Sequence, residues 1–315
     1  MSAIAFFGTL AVGLLLSLVA MAVYISFRVL DFPDLTVDGS FAFGAAVAAR
    51  LISTAAPPFN DPYLATAAAA GAGVLAGLVT GFLHVRLRIM HLLAGFLVMV
   101  ALYSVNLRVM GRPNLPLFDS RTLVSDIEAI GVSPMLMRPL LFLVLALLAK
   151  LLLDRFMRTE VGLALRATGE NPVMARANGV RTGAMTIAGI ALSNGIVGLT
   201  GALFAQTQGV ADVSMGIGTI IAGLASLIVG ETLLPGMTVG TATLACIAGS
   251  VIYRFAVGLA LNAGFLGLQA QDLNLATAAL VIAAVLLSRT RRPAWLRGLG
   301  LGAMLAARKP TRNLQ

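Results

Sequence analysis

Asp34, Asp38 and Asp212 stand where apolar runs begin, and two of them head similar strings: Asp34-Leu-Thr-Val-Asp-Gly-Ser-Phe-Ala-Phe-Gly44 and Asp212-Val-Ser-Met-Gly-Ile-Gly-Thr-Ile-Ile-Ala-Gly223. Each string has an acid, an apolar residue, a hydroxyl residue and then a glycine-containing apolar stretch; aligning them needs a one-residue gap. A carboxylate at a helix start accepts backbone N–H bonds and complements the helix dipole. Where a membrane helix is interrupted, the same groups also meet whatever passes through, and paired interrupted segments are how transporters build a site at a repeat interface. Asp34, Thr36, Asp38, Ser40, Asn194, Asp212 and Ser214 are therefore the candidate path residues, and a capping role is compatible with that one. Asn194, Gln206 and Gln208 lie in or at the end of one apolar run, where lipid would leave them unbonded, so they are expected to face neighbouring helices or the path.

These residues do not suggest catalysis. The chain has no Ser/His/Asp order, paired-carboxylate motif, metal-ligand spacing or P-loop. Its two histidines, His84 and His91, cannot build a histidine metal cluster, and the single Cys246 reads as core packing. The expectation is a protein with no catalytic residues, no metal and no cofactor of its own. Arg254 interrupts an otherwise apolar run and is costly there unless it faces an interior cavity or snorkels to an interface; structural pairing with a residue such as Asp272 or Asp212 is expected over a substrate role.

A second constellation is the polar island Glu160-Val-Gly-Leu-Ala-Leu-Arg-Ala-Thr-Gly-Glu-Asn-Pro-Val-Met-Ala-Arg-Ala-Asn-Gly179. It is too polar to cross a bilayer, yet it carries helix punctuation. Asn171 can cap a helix whose first residue is Pro172, where the missing N–H costs nothing, and Gly179 can take the left-handed conformation that ends it. The island reads as a docking element.

The elements that hold these groups are dictated by composition. The 315 residues are 59% hydrophobic and 11% charged, against roughly 25% charged in an ordinary soluble domain. Uncharged runs at 1–27, 64–85, 182–211, 213–230, 232–253 and 273–288 are near or above the roughly 17–25 residues that cross a bilayer as a helix. The fold class expected is an all-α polytopic membrane protein with about 8–9 transmembrane segments, interrupted helices and a cytoplasmic docking helix. The 33 glycines suit close helix packing in lipid.

Segments are expected at 4–28, 40–56, 64–84, 92–109, 138–153, 184–206, 214–231, 237–261 and 270–288, with a break at Pro33, a turn over 57–62 and an external loop over 111–137. The net charge of +9 is not a nucleic-acid signal, because its position has a topological explanation. Five arginines lie at 155–181, and seven Lys/Arg lie at 289–315 with no acid among them. Such clusters mark the cytoplasmic side and touch anionic headgroups of the membrane lipid. Four crossings between them put both on one side, and counting back leaves the N-terminus outside. The first apolar run has no basic residue before it and reads as a retained span. The organisation expected is one transmembrane domain over 1–290, with a cytoplasmic docking segment at 155–183 and a basic cytoplasmic tail at 291–315.

The stretch Gly162-Leu-Ala-Leu-Arg-Ala-Thr-Gly-Glu-Asn-Pro-Val-Met-Ala-Arg-Ala-Asn-Gly-Val180, followed by Ala225-Ser-Leu-Ile-Val-Gly-Glu231, resembles the permease subunits of bacterial ABC importers, in particular the branched-chain amino acid and ribose-type permeases. The likeness covers about residues 5–290 and includes the 34–44 string; Asp31-Phe-Pro-Asp-Leu-Thr-Val-Asp-Gly39 is most similar to permeases assigned to tryptophan or other aromatic amino acids. The resemblance aligns the first apolar run with the second helix of the ribose-type permeases and so implies one N-terminal helix fewer than that pattern. The resemblance implies a permease of the bacterial inner membrane, working with a cytoplasmic ATPase subunit that binds ATP and Mg, a second permease copy and an external solute-binding protein. It implies that Asn171, Pro172 and the residues up to Asn178 and Gly179 form the coupling helix. Val173, Met174 and Ala177 would then pack into the ATPase groove, and Arg166, Glu170, Arg176 and Arg181 would make polar contacts around it. An ion-coupled secondary transporter or channel is the alternative that broken helices also suit.

Overall fold

The computed structural model describes residues 3–54, 60–118, 120–128, 134–234, 238–262, 278, 279 and 282. Among these, the chain is a bundle of helices joined at one end by a two-stranded ribbon and at the other by two short polar helices. The span expected at 270–288, the basic tail and Asp272 lie outside the described residues, apart from those three positions.

Helix α1 (Ala3–Val23) runs on without a break into a π-helical stretch, Tyr24–Val29. There the Leu30 N–H reaches back to Ile25 O at 3.0 Å and the Phe32 N–H to Ser26 O at 2.9 Å, so the turn is wider than an α-turn. Helix ends before Pro33, which disfavours helical backbone at the residue preceding it, and Asp31 sits in the left-handed region at φ 53°. Chain resumes as α2 (Thr36–Thr54), α3 (Pro62–Leu87) and α4 (His91–Met110). Strand β1 (Asn114–Pro116) and α5 (Leu123–Glu128) follow, then α6 (Pro134–Phe156), α7 (Glu160–Glu170), α8 (Pro172–Ala177) and α9 (Thr182–Gln208). Strand β2 (Val210–Asp212), α10 (Thr219–Leu233) and α11 (Val239–Asn262) complete the described elements.

Among the described residues, six helices are long and apolar enough to cross a membrane: Ala3–Val29, Pro62–Leu87, His91–Met110, Met135–Phe156, Thr182–Gln208 and Val239–Leu259. This is an all-α multi-pass membrane protein. Buried share sorts the spans: 78% for the first and 67% for α9, but only 28% for α4 and 22% for α6, so α1 and α9 are central and α4 and α6 peripheral. The outer face of α6 carries exposed Leu147, Leu148, Leu151 and Leu152, an apolar surface that suits lipid. Helix α2 approaches α9 through glycine: a Cβ on Gly44 would stand 2.0 Å from Gly198 O, so no larger residue fits this crossing.

Of the other helices, α2 and α10 are the interrupted ones. At 15 residues α10 is about 22 Å long, short of the roughly 30 Å hydrocarbon core. It begins at Thr219 rather than 214, because residues 213–218 form successive turns, with Met215 N–H on Asp212 O, Ile217 N–H on Ser214 O and Gly218 at φ 85°. Helix α2 begins at Thr36, earlier than the expected 40. The region expected as a loop over 111–137 instead holds β1, α5 and the first turn of α6. Strand β1 pairs antiparallel with β2, Asn114 opposite Asp212 and Pro116 opposite Val210, tying the end of α4 to the end of α9. Three-residue strands carry no periodicity, so nothing in the sequence announced this ribbon.

Candidate functional site

The polar island folds as two helices, and one residue makes both ends of the break. The Asn171 N–H closes α7 on Ala167 O at 3.0 Å, while its Oδ1 accepts from the Val173 and Met174 N–H groups at 3.2 and 3.0 Å. Pro172, at the first position of α8, has no N–H to satisfy, and such a cap stabilises a helix by ~1 kcal/mol. At the other end Asn178 Nδ2 donates to Met174 O at 2.9 Å, and Gly179 at φ 82° lets the Val180 N–H return to Ala175 O at 3.0 Å. Only Ala175 of α8 is buried; Val173 and Met174 are 68% and 60% exposed, and Asn171, Pro172, Arg176, Ala177 and Asn178 are exposed as well.

Helix α7 is seated on the π-helical stretch. A Cβ on Gly169 would lie 1.8 Å from Val29 O, so this contact requires glycine. Beside it, exposed Arg166 and Glu170 line a cavity of about 360 Å³ with Tyr24, Arg28 and Asp31. Arg28 Nε is 3.0 Å from Glu231 Oε1 near the end of α10. The π-helical stretch thus meets α7 on one side and α10 on another before leading into Asp34.

Asp34 lies in a closed polar knot. Its Oδ1 accepts from the Thr36 N–H at 2.9 Å, capping α2, and its Oδ2 accepts from Asn194 Nδ2 at 2.6 Å. Asn194 Oδ1 accepts from Ser40 Oγ at 2.7 Å, and the Thr36 and Thr80 hydroxyls are 2.7 Å apart. Asp34, Thr36, Ser40, Thr80 and Asn194 are all 0% exposed. Burying a carboxylate is expensive, and here its acceptor oxygens are met by donors from α2 and α9. The knot therefore fixes the start of α2 against the middle of α9.

Asp38 does something the sequence reading did not foresee. It lies in the first turn of α2, yet its Oδ2 accepts from the Gly218 N–H at 3.0 Å and its Oδ1 from the Ile220 N–H at 2.8 Å. It caps α10, a helix 180 residues away in sequence. Helix α10 has Gly218 at its own cap position, with no side-chain acceptor, so its first N–H groups need an oxygen from elsewhere. That glycine was the one available signal. Asp212 in turn does not cap α10: its Oδ1 accepts from the Ser214 N–H at 2.6 Å, and the Ser214 hydroxyl bonds the same oxygen. The Asp34 to Thr36 bond has the same two-residue spacing, so the two similar strings share a local turn, although the helix follows at once in the first and only after five residues in the second.

Among the candidate path residues, Asp38 alone lines the two cavities that meet at the start of α10. The larger, about 530 Å³, is bounded by α1, α2, α9, α10 and α11 and lined by Phe41, Phe204, Gln208, Tyr253 and Arg254 with Asp38. The smaller, about 290 Å³, lies between α2, α4 and the 213–217 turns; Asn106, whose Oδ1 is buried without a bonding partner, faces it. Arg254, expected to pair with Asp272 or Asp212, has no carboxylate partner among the described residues, and Asp212 is held by Ser214. Gln206 spans elements, donating to Thr66 Oγ1 at 2.8 Å and accepting from the Leu123 N–H at 2.9 Å, while Gln208 faces the larger cavity.

Residues 5–290 match the family described as the permease component of branched-chain amino acid transport systems. A tyrosine transport system permease protein of Clostridioides difficile is 42% identical over 271 residues, 86% of this chain and 87% of that protein. An uncharacterized protein of Rickettsia prowazekii is 33% identical over 250 residues, 78% of this chain and 84% of the relative. No solved structure matches the chain. With a match that takes in both interrupted helices, the polar knot that joins α2 to α9 and the capped α8, this chain belongs to the permease components of branched-chain amino acid transport systems.

Proposed function

We propose that this chain is the translocating subunit of an ATP-driven importer for an amino acid, and that α8 docks on a separate cytoplasmic ATPase. The observation that carries the reading is α8 itself. A six-residue helix is too short to persist on its own. This one is capped at both ends and held through buried Ala175, yet it turns Val173 and Met174 outward, which fits a preformed knob awaiting a groove. ATP and Mg belong to the partner in this reading. The arginines at 155–181 support a cytoplasmic α8 end by the positive-inside rule, and the membrane in this reading is a bacterial inner membrane. A second permease copy and an external solute-binding protein complete the assembly, and the similarity to a tyrosine permease supports an amino acid as cargo.

The packing offers a route from docking to gating. Displacement of α8 carries α7, whose Gly169 bears directly on the Val29 backbone. The π-helical stretch then passes the motion to the 30–35 segment and α2, and through Arg28 and Glu231 to α10. These are the two interrupted helices, and Asp38 joins them to each other. Rigid-body movement of packed elements about such a junction is an established way of switching access.

The test is uptake by the complex purified through this chain and reconstituted in liposomes. ATP-dependent accumulation of tyrosine in the presence of the binding protein is the expected result. Movement of solute by the chain alone, down an ion gradient and indifferent to ATP, would replace this reading with a secondary transporter.

A further inference from the structure

The 530 Å³ cavity falls within the roughly 300–1,000 Å³ range of small-molecule sites, and its lining is unusual for a membrane interior. It has one carboxylate, Asp38, one guanidinium, Arg254, and one amide, Gln208, set among aromatic rings. Phe41 and Phe204 pack against each other at a tilt of 57° with ring centroids 5.5 Å apart, and Tyr253 also lines the cavity. Arg254 stands in the interior of α11, a position that is costly in lipid without an anion or water. No described carboxylate supplies that anion: Asp38, the one that lines the cavity, faces the α10 N–H groups, and Asp212 is bound within its own turn.

We propose that this cavity is a site on the permease itself for a zwitterionic aromatic amino acid, with Arg254 taking the carboxylate, Asp38 the ammonium, and Phe41 and Phe204 the ring. The inference rests on the transport reading above and names its substrate class. Arginine is suited to the carboxylate because its planar fork meets two oxygens at once. A carboxylate offers about four lone-pair positions, and the α10 cap occupies one on each Asp38 oxygen, leaving acceptor capacity for an ammonium. The aromatic walls favour a ring over an aliphatic side chain through edge-to-face and stacked contacts. A purely aliphatic or a singly charged solute would leave one of these charged groups without a counterpart.

The experiment measures radiolabelled L-tyrosine binding to the full chain in lipid nanodiscs, with tyramine, hydroxyphenylpropionate and L-leucine as competitors. Tyramine lacks the carboxylate, hydroxyphenylpropionate the amine, and leucine the ring. Saturable tyrosine binding is expected, with each competitor weaker by about tenfold or more, since each gives up a charge-assisted bond or the ring contacts. Arg254→Gln is expected to lower tyrosine affinity by about tenfold or more while leaving the weak competition by tyramine unchanged, a pattern that misfolding would not produce. Phe204→Leu keeps apolar bulk and is expected to narrow the tyrosine-over-leucine preference by about threefold to tenfold, and it carries the test if Arg254→Gln does not fold. Equal competition by leucine, wild-type tyrosine affinity in Arg254→Gln, or no saturable binding at millimolar tyrosine would overturn the site. ATP-driven uptake that is indifferent to Arg254→Gln would sink the site and spare the importer reading; tyrosine binding without ATP-driven uptake would do the reverse.

Discussion

The α8 end and the Asp34 knot are both polar constructions on an apolar bundle, and they are built in opposite ways. At α8 the defining bonds are local: Asn171 reaches residues two and three ahead, and Asn178 reaches back four. In the knot the partners are 154 and 160 residues apart, and Asp38 reaches across 180 and 182 to cap α10. The exposed region caps its own ends and leaves Val173 and Met174 uncovered; the buried region satisfies its polar groups and leaves little free. On the proposed reading this suits a docking surface, formed before its partner arrives, and a hinge that holds helices together until something pushes.

That contrast sets unequal costs for breaking each region. Asn194→Leu removes the donor to Asp34 and the acceptor for Ser40, stranding two buried polar groups at once. Loss of about 3 kcal/mol or more is expected, the sum of two unsatisfied groups of which one is charged. Thermal unfolding of the purified chain in detergent should show a large drop in midpoint. Replacing Asp34 by Leu as well should restore part of the loss, because removing both partners costs less than removing one. A single variant that melts like the wild type would show that the knot is not what holds α2 to α9.

This contrast also explains what the sequence could and could not reveal. Caps and turns act over a few residues, so the order Asn171, Pro172, Gly179 disclosed α8 and its ends, and the apolar runs disclosed the spans. The shared turn at Asp34 and Asp212 was visible as a string likeness for the same reason. Long-range partners leave no such trace. Asp38 could be read as an N-terminal acid of its own helix, and only the glycine at the start of α10 hinted that an acceptor must come from elsewhere. The π-helical stretch at Tyr24–Val29 and the β1–β2 ribbon were equally silent, since each depends on packing rather than on a periodic pattern.

Between the two regions stands Gly169, and changing it asks whether they communicate. Gly169→Val would press a branched side chain into the Val29 carbonyl, forcing α7 away from the π-helical stretch. Overpacking of this kind costs about 1–3 kcal/mol, less than emptying the knot. The expected phenotype is a folded protein, still assembled with its ATPase, in which ATP hydrolysis continues and solute uptake falls by tenfold or more. Uptake and hydrolysis that remain tightly linked in this variant would remove the α7 contact from the route.

The smallest effect on the fold is expected at α8, and there it separates stability from function most cleanly. Met174 is 60% exposed and makes no side-chain bond that holds the helix, whose caps come from Asn171, Asn178 and Gly179. Met174→Glu should therefore shift unfolding by less than about 0.5 kcal/mol, as surface substitutions do. Placed in an apolar groove, however, the same carboxylate would be desolvated without a partner, a penalty of several kcal/mol against docking. Co-purification with the ATPase, and stimulation of hydrolysis by the loaded binding protein, should both fall at least tenfold while the melting curve is unmoved. If docking survived, the exposed apolar face of α8 would have to be covered by something other than an ATPase, and the local, self-capped design of this region would have lost its purpose in coupling.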